Sequence, residues 1–100
     1  MKNTRETLSV LRKIEKNSNA TQREMATDLG YSIGKLNYCI KKLQIKGLIK
    51  INNFKKNPNK LNYIYVLTPK GVSEKAKLTI NYMKRIALEY DELKKDLKKK

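Results

Sequence analysis

"TQREMATDLGYSIGKLNYCIKKLQIKGLIKINNF", residues 21–54, decides the fold of this chain. Thr21-Gln-Arg-Glu24 has the capping-box pattern, in which a threonine caps a helix and the glutamate reaches back to its amide. That predicts a short helix with Met25, Ala26 and Leu29 facing inward and Gly30 as its stop. Ser32 is the natural cap of a second helix, reaching to about Lys46 and ended by Gly47. Its expected apolar stripe is Ile33, Leu36, Ile40 and Leu43, with Cys39 beside it as a small buried hydrophobe. Lys35, Asn37, Tyr38, Lys41 and Lys42 fall opposite. Two capped helices around a tight glycine turn spell a helix-turn-helix unit.

Outward from this core, "LIKINNF" (48–54) reads as a strand, "KKNPNK" (55–60) as a polar turn, and "LNYIYVL" (61–67) as the return strand. A hairpin with a basic tip directly after the second helix gives the winged variant of the unit. Tyr63 and Tyr65 are placed on one strand face, with Ile64 and Leu67 off it, and packing of the rings against a helix is preferred over a base-stacking platform. Residues 4–16 carry Leu8, Leu11 and Ile14 at helical spacing, with Val10 beside them, before "NSN" (17–19) ends that helix.

Thr68 and Pro69 open the last helix as cap and first residue, and Gly71 is read as a tolerable early glycine. Val72, Ala76, Thr79, Met83, Ile86, Tyr90, Leu93 and Leu97 then recur at alternating steps of four and three. This seven-residue repeat outruns the small domain that could cover it. Self-association through Thr79, Met83, Ile86, Tyr90, Leu93 and Leu97 is therefore expected. The "DLKKK" tail is expected to fray. The fold class is mainly α with a small β-hairpin: a winged helix-turn-helix over residues 1–67 and a long dimerisation helix over 68–100.

Charge supplies the functional pointer. The chain has 24 basic and 9 acidic residues, a formal charge of +15, and no acid at all between Asp28 and Glu74. Such an excess favours a polyanionic partner. The outer face of the second helix, with Ser32, Gly34, Lys35, Asn37, Tyr38, Lys41 and Lys42, suits the major groove of duplex DNA. Asn37 is the candidate for pairing with adenine. Thr21, Gln22 and Arg23, at a helix N-terminus, suit a phosphate. Lys55, Lys56, Asn57, Asn59 and Lys60 at the hairpin tip suit the minor groove or backbone. The plain alternatives are a solvated face, ordinary capping, and a charged tip that discourages edge pairing.

With no histidine, one cysteine and no glycine-rich phosphate loop, the usual zinc sites and nucleophile–base pairs have no material, so no enzyme, metal or cofactor is expected. No signal peptide or membrane-length apolar run is visible, and a cytoplasmic location without membrane contact is expected. The rival classes are an RNA-binding winged helix and a protein-interaction domain recruiting through its last helix.

The elements "SIGKLNYC", "KGLIKINNF" and "YIYVLTPKG", with the sequence between them, resemble MarR-type winged-helix regulators, within these the EPS-associated (exopolysaccharide-associated) subgroup. The resemblance spans roughly residues 5–97. It implies a dimeric DNA-binding transcription factor with its recognition helix beginning at Ser32, a wing at 52–62, and a dimerising last helix. Larger MarR proteins carry further N-terminal helical sequence that helps to build a dimer interface and a small-molecule pocket. This chain starts almost at the first core helix, which leaves an effector unassigned.

Overall fold

The computed structural model describes residues 4–54 and 62–98. Helices α1 (Thr4–Lys16), α2 (Gln22–Leu29) and α3 (Ile33–Ile45) lead into strands β1 (Ile49–Phe54) and β2 (Asn62–Leu67), then α4 (Pro69–Lys98). The strands form one antiparallel hairpin, with Ile49 opposite Leu67 and Ile51 opposite Tyr65.

The local chemistry follows the sequence closely. Thr21 Oγ1 accepts from the Glu24 amide at 3.1 Å while Glu24 reaches back to the Thr21 amide. Gly30 closes α2 at φ 73°, a left-handed conformation that glycine adopts without steric cost. Ser32 Oγ accepts from the Lys35 amide and opens α3.

The core is built from Val10, Leu11 and Ile14 of α1, Met25 and Ala26 of α2, and Leu36, Cys39, Ile40 and Leu43 of α3, closed by Leu48, Ile49 and Tyr65. Burial pushes the Cys39 thiol up, so it stays protonated and acts as a small apolar side chain. Tyr65 packs inside, as expected, and its amide donates to the Ser18 carbonyl, tying β2 to the turn after α1.

Three expectations need correction. Ile33 is not on the core stripe: it is 46% exposed. It is the first residue of α3, and the buried residues of that helix begin at Leu36. Leu67 shares the face of Tyr65, since residues two apart on a strand point the same way, and it packs against the core. The charged tail does not fray before Lys98; Lys95 and Lys98 lie in the last turn of α4, where cations suit the negative end of the helix dipole.

Gly71 is more than tolerable. It is buried, and a Cβ there would overlap the Leu48 carbonyl oxygen and come within 2.9 Å of its carbon. The Thr68 hydroxyl donates to the Gly47 carbonyl at 2.6 Å and accepts from the Gly71 amide at 3.0 Å. The Thr68 amide donates to the Leu48 carbonyl. The turn after α3 and the start of α4 are thus one welded junction.

Beyond it, α4 lies along α1. Leu78 packs against the core, the Lys75 ammonium pairs with Glu15 at 2.7 Å, and Arg5 stacks over the Tyr82 ring. From Met83 to Lys98 every residue is exposed. The molecule measures 66 × 26 × 21 Å because this half of the helix projects.

Candidate nucleic-acid interface

The outer face of α3 is set by what its inner face must bury. With Leu36, Cys39, Ile40 and Leu43 inside, helical geometry turns Gly34, Asn37, Tyr38 and Lys41 outward. Tyr38 is 55% exposed, and the Lys42 ammonium lies 5.5 Å from its ring centre. Lys41 is exposed. No acidic side chain belongs to this helix. Ile33 and Ile45, both exposed, stand at its two ends on the same four-residue ridge as Asn37 and Lys41. Sequence reading placed Ile33 on the core stripe, because an isoleucine at helical spacing looks like core, and assigned Ile45 no role. The signal that could have marked Ile45 as a surface residue is its position five residues after Ile40, about 140° round the helix.

Other candidates are less free than their side-chain types suggest. Lys35 forms an ion pair with Glu6 of α1, and its ammonium lies 4.4 Å from the centre of the Tyr31 ring. The hydrogen bond to Glu6 raises the pKa of Lys35, so it stays charged at neutral pH. Burial, then the Glu6 charge, raise that of Tyr31, which stays a neutral phenol. The hydroxyls of Thr21 and Ser32 are used in capping. Arg23 is the exposed cation at the start of α2, with Glu24 close by in sequence.

Asn37 and Gln22 are joined. Asn37 Nδ2 donates to Gln22 Oε1 at 3.2 Å, and Gln22 Nε2 donates to the Tyr65 hydroxyl at 2.8 Å. Both amides are half-buried. Both ends of the Gln22 amide are therefore engaged within the domain. At Gly34 an added Cβ would meet nothing within 4 Å, so packing inside the chain does not require a glycine there. Lys55, Lys56, Asn57, Asn59 and Lys60, the expected wing-tip contacts, lie outside the described residues.

The fold is a winged helix-turn-helix. Residues 3–50 match the model of winged helix-turn-helix DNA-binding domains. No curated protein sequence matches the chain. Among solved structures, the chain is similar to Staphylococcus aureus MarR in complex with salicylate and kanamycin, at 21% identity and a TM-score of 0.70 over 87% of this chain. It is similar to the transcriptional repressor CouR bound to a 23-mer DNA duplex, at 26% identity and a TM-score of 0.61 over 72% of this chain. It is also similar to Streptococcus pneumoniae FabT in complex with DNA, at 17% identity and a TM-score of 0.64 over 87% of this chain. The chain spans 57%, 49% and 59% of the lengths of these three proteins. Among the described residues no helix is long and apolar enough to cross a membrane.

The Glu6–Lys35 pair makes a first prediction. Glu6→Gln removes a negative charge beside α3 and releases Lys35. Affinity for any duplex should rise about threefold to tenfold at low salt. If Lys35 then reaches a phosphate, the slope of log affinity against log salt should steepen by about 0.9. Anisotropy titrations across a salt series measure both. An unchanged slope would show that Lys35 does not reach the backbone.

Proposed function

We propose that the chain is a sequence-specific, double-stranded DNA-binding transcriptional regulator that acts as a homodimer in the cytoplasm. Residues 1–67 form the DNA-binding part and 68–100 the dimerisation part. The α3 helix enters the major groove, and the basic hairpin tip meets the flanking backbone or minor groove. The observation that carries this reading is the outer face of α3: without acids, and bearing exposed Tyr38 and Lys41 beside the half-buried Asn37. The open space at Gly34 supports it, since a side chain is missing where a groove wall would come close. CouR and FabT hold DNA in their structures, which supports a duplex as the ligand. The exposed apolar residues along the projecting half of α4 support pairing with a second copy. The sequence elements around Ser32, Gly47 and Thr68 support placement beside the EPS-associated regulators.

Lysine contacts supply salt-dependent affinity, and Asn37 and Tyr38 supply preference. Asn37→Ala should relax specificity by roughly 1–3 kcal/mol at one base position while leaving the salt slope intact. Replacing Lys55 and Lys56 together should weaken binding to every duplex and flatten the slope by about 2. Both are read by fluorescence anisotropy on the duplex upstream of the chain's own gene and on a shuffled duplex, across salt. A preference for the upstream duplex near physiological salt supports a regulator of its own gene. Equal affinities that vanish together as salt rises leave only charge attraction to that DNA. Tighter binding to A-form RNA than to any duplex DNA would replace this reading.

A further inference from the structure

We infer that Gln22 and Tyr65 are positioning residues that hold the Asn37 side chain where its amide can read adenine, so that the hairpin takes part in base discrimination through the interior of the domain. The inference rests on the proposed DNA-binding role of α3. Tyr65 is 2% exposed, paired with Ile51 across the hairpin and tied by its amide to Ser18, so its hydroxyl occupies a fixed point. Gln22 is the first residue of α2, where the capping box fixes the backbone. Its Nε2 donates to that hydroxyl at 2.8 Å, which leaves Oε1 facing Asn37. Oε1 accepts from Asn37 Nδ2 at 3.2 Å.

What remains on Asn37 is the complement of adenine. An amide has two N–H donors and one carbonyl acceptor. One donor is used by Gln22; among the described residues no partner takes the second donor or Oδ1. Adenine in the major groove offers N7 as acceptor and its 6-amino group as donor, which matches that pair. The chain from Tyr65 through Gln22 therefore anchors one end of the Asn37 amide before DNA arrives.

The test begins with a pool of duplexes carrying a randomised core, from which the wild-type chain selects its preferred sequence. The affinity ratio of that duplex to a scrambled one is then measured for wild type, Tyr65→Phe, Asn37→Ala and the double variant. Tyr65→Phe keeps the ring in the core and removes only the hydroxyl. Asn37→Ala should lower the ratio about tenfold or more. Tyr65→Phe should lower it roughly threefold to tenfold, with affinity for the scrambled duplex and the thermal midpoint unchanged. The double variant should fall no further than Asn37→Ala alone, because both act through one contact. Replacing the contacted adenine with 7-deazaadenine should weaken the wild type and leave Asn37→Ala unaffected. Should Tyr65→Phe lower the thermal midpoint, Gln22→Met, which keeps chain length without the amide, makes the same prediction for the ratio. A full wild-type ratio in Tyr65→Phe, or a loss that adds to that of Asn37→Ala, overturns the inference while leaving the DNA-binding reading standing. A wild-type chain that enriches no sequence overturns both.

Discussion

Gly71→Ala should destabilise the fold by about 3 kcal/mol and lower its thermal midpoint by roughly 15 °C. An alanine is ordinarily the better helix residue by up to about 1 kcal/mol, so propensity alone predicts the opposite sign. Sterics decide here because the new carbon would overlap a backbone carbonyl, that of Leu48, and not the tip of a pliant side chain. Relief would require α4 to move away from the turn after α3, stretching the Thr68 bonds to Gly47 and Gly71. Gly34→Ala is the matched control. It places the same methyl in open space and should raise stability by a few tenths of a kcal/mol up to about 1. Thermal melts of the two variants beside the wild type suffice. Equal shifts in both would mean that α4 does not approach Leu48 closely in solution.

On the proposed pairing of two copies through α4, Leu93→Glu should leave the chain monomeric with its domain folded. Leu93 is 57% exposed and lies in the half of α4 where all residues are exposed, so its own chain does not need it for packing. It shares its stripe with Ile86, Tyr90 and Leu97, and a carboxylate in that stripe would have to be buried without a partner against the second copy. Light scattering should report half the wild-type mass at concentrations where wild type is dimeric, with an unchanged far-ultraviolet circular dichroism spectrum. Affinity for the preferred duplex should fall about 100-fold, because the second recognition helix is no longer delivered by the first. A Leu93→Glu chain that remains dimeric would move the interface off this stripe.

The sequence was most legible where the information is local. The capping box at Thr21, the left-handed Gly30 and the Ser32 cap each need only a few neighbouring residues to be recognised, and all three stand as read. The two strands of the hairpin were legible in the same way, from their composition. Legibility failed where a residue's role depends on what lies across from it. Ile33 has the spacing of a core residue, but the partner that would cover it is absent. Gly71 looked permissive because a clash with Leu48 cannot be seen from either position alone. The α4 helix carries two faces one residue apart. The 71–78 face meets its own domain through Gly71, Lys75 and Leu78, and the heptad stripe beside it is left outward.

The candidate interface divides similarly. Residue types at the right positions marked α3, yet they gave no hint that Glu6, far away in sequence, holds Lys35, or that Asn37 is tied through Gln22 to a tyrosine of the hairpin. These are long-range hydrogen bonds and ion pairs with no periodicity to announce them.

The hydroxyl of Thr68 sits between Gly47 and Gly71, with Leu48 clamped alongside. Little slack is left between the end of α3 and the start of α4, so the two helices turn as a single crank. A thirty-residue helix is about 45 Å long, and a tilt of about 5° at the crank carries its far end through roughly 4 Å. Run backwards, the same gearing is a reduction. Whatever grips the far end of α4 sets the angle of α3 finely, because coarse displacements at the handle become small rotations at the bearing.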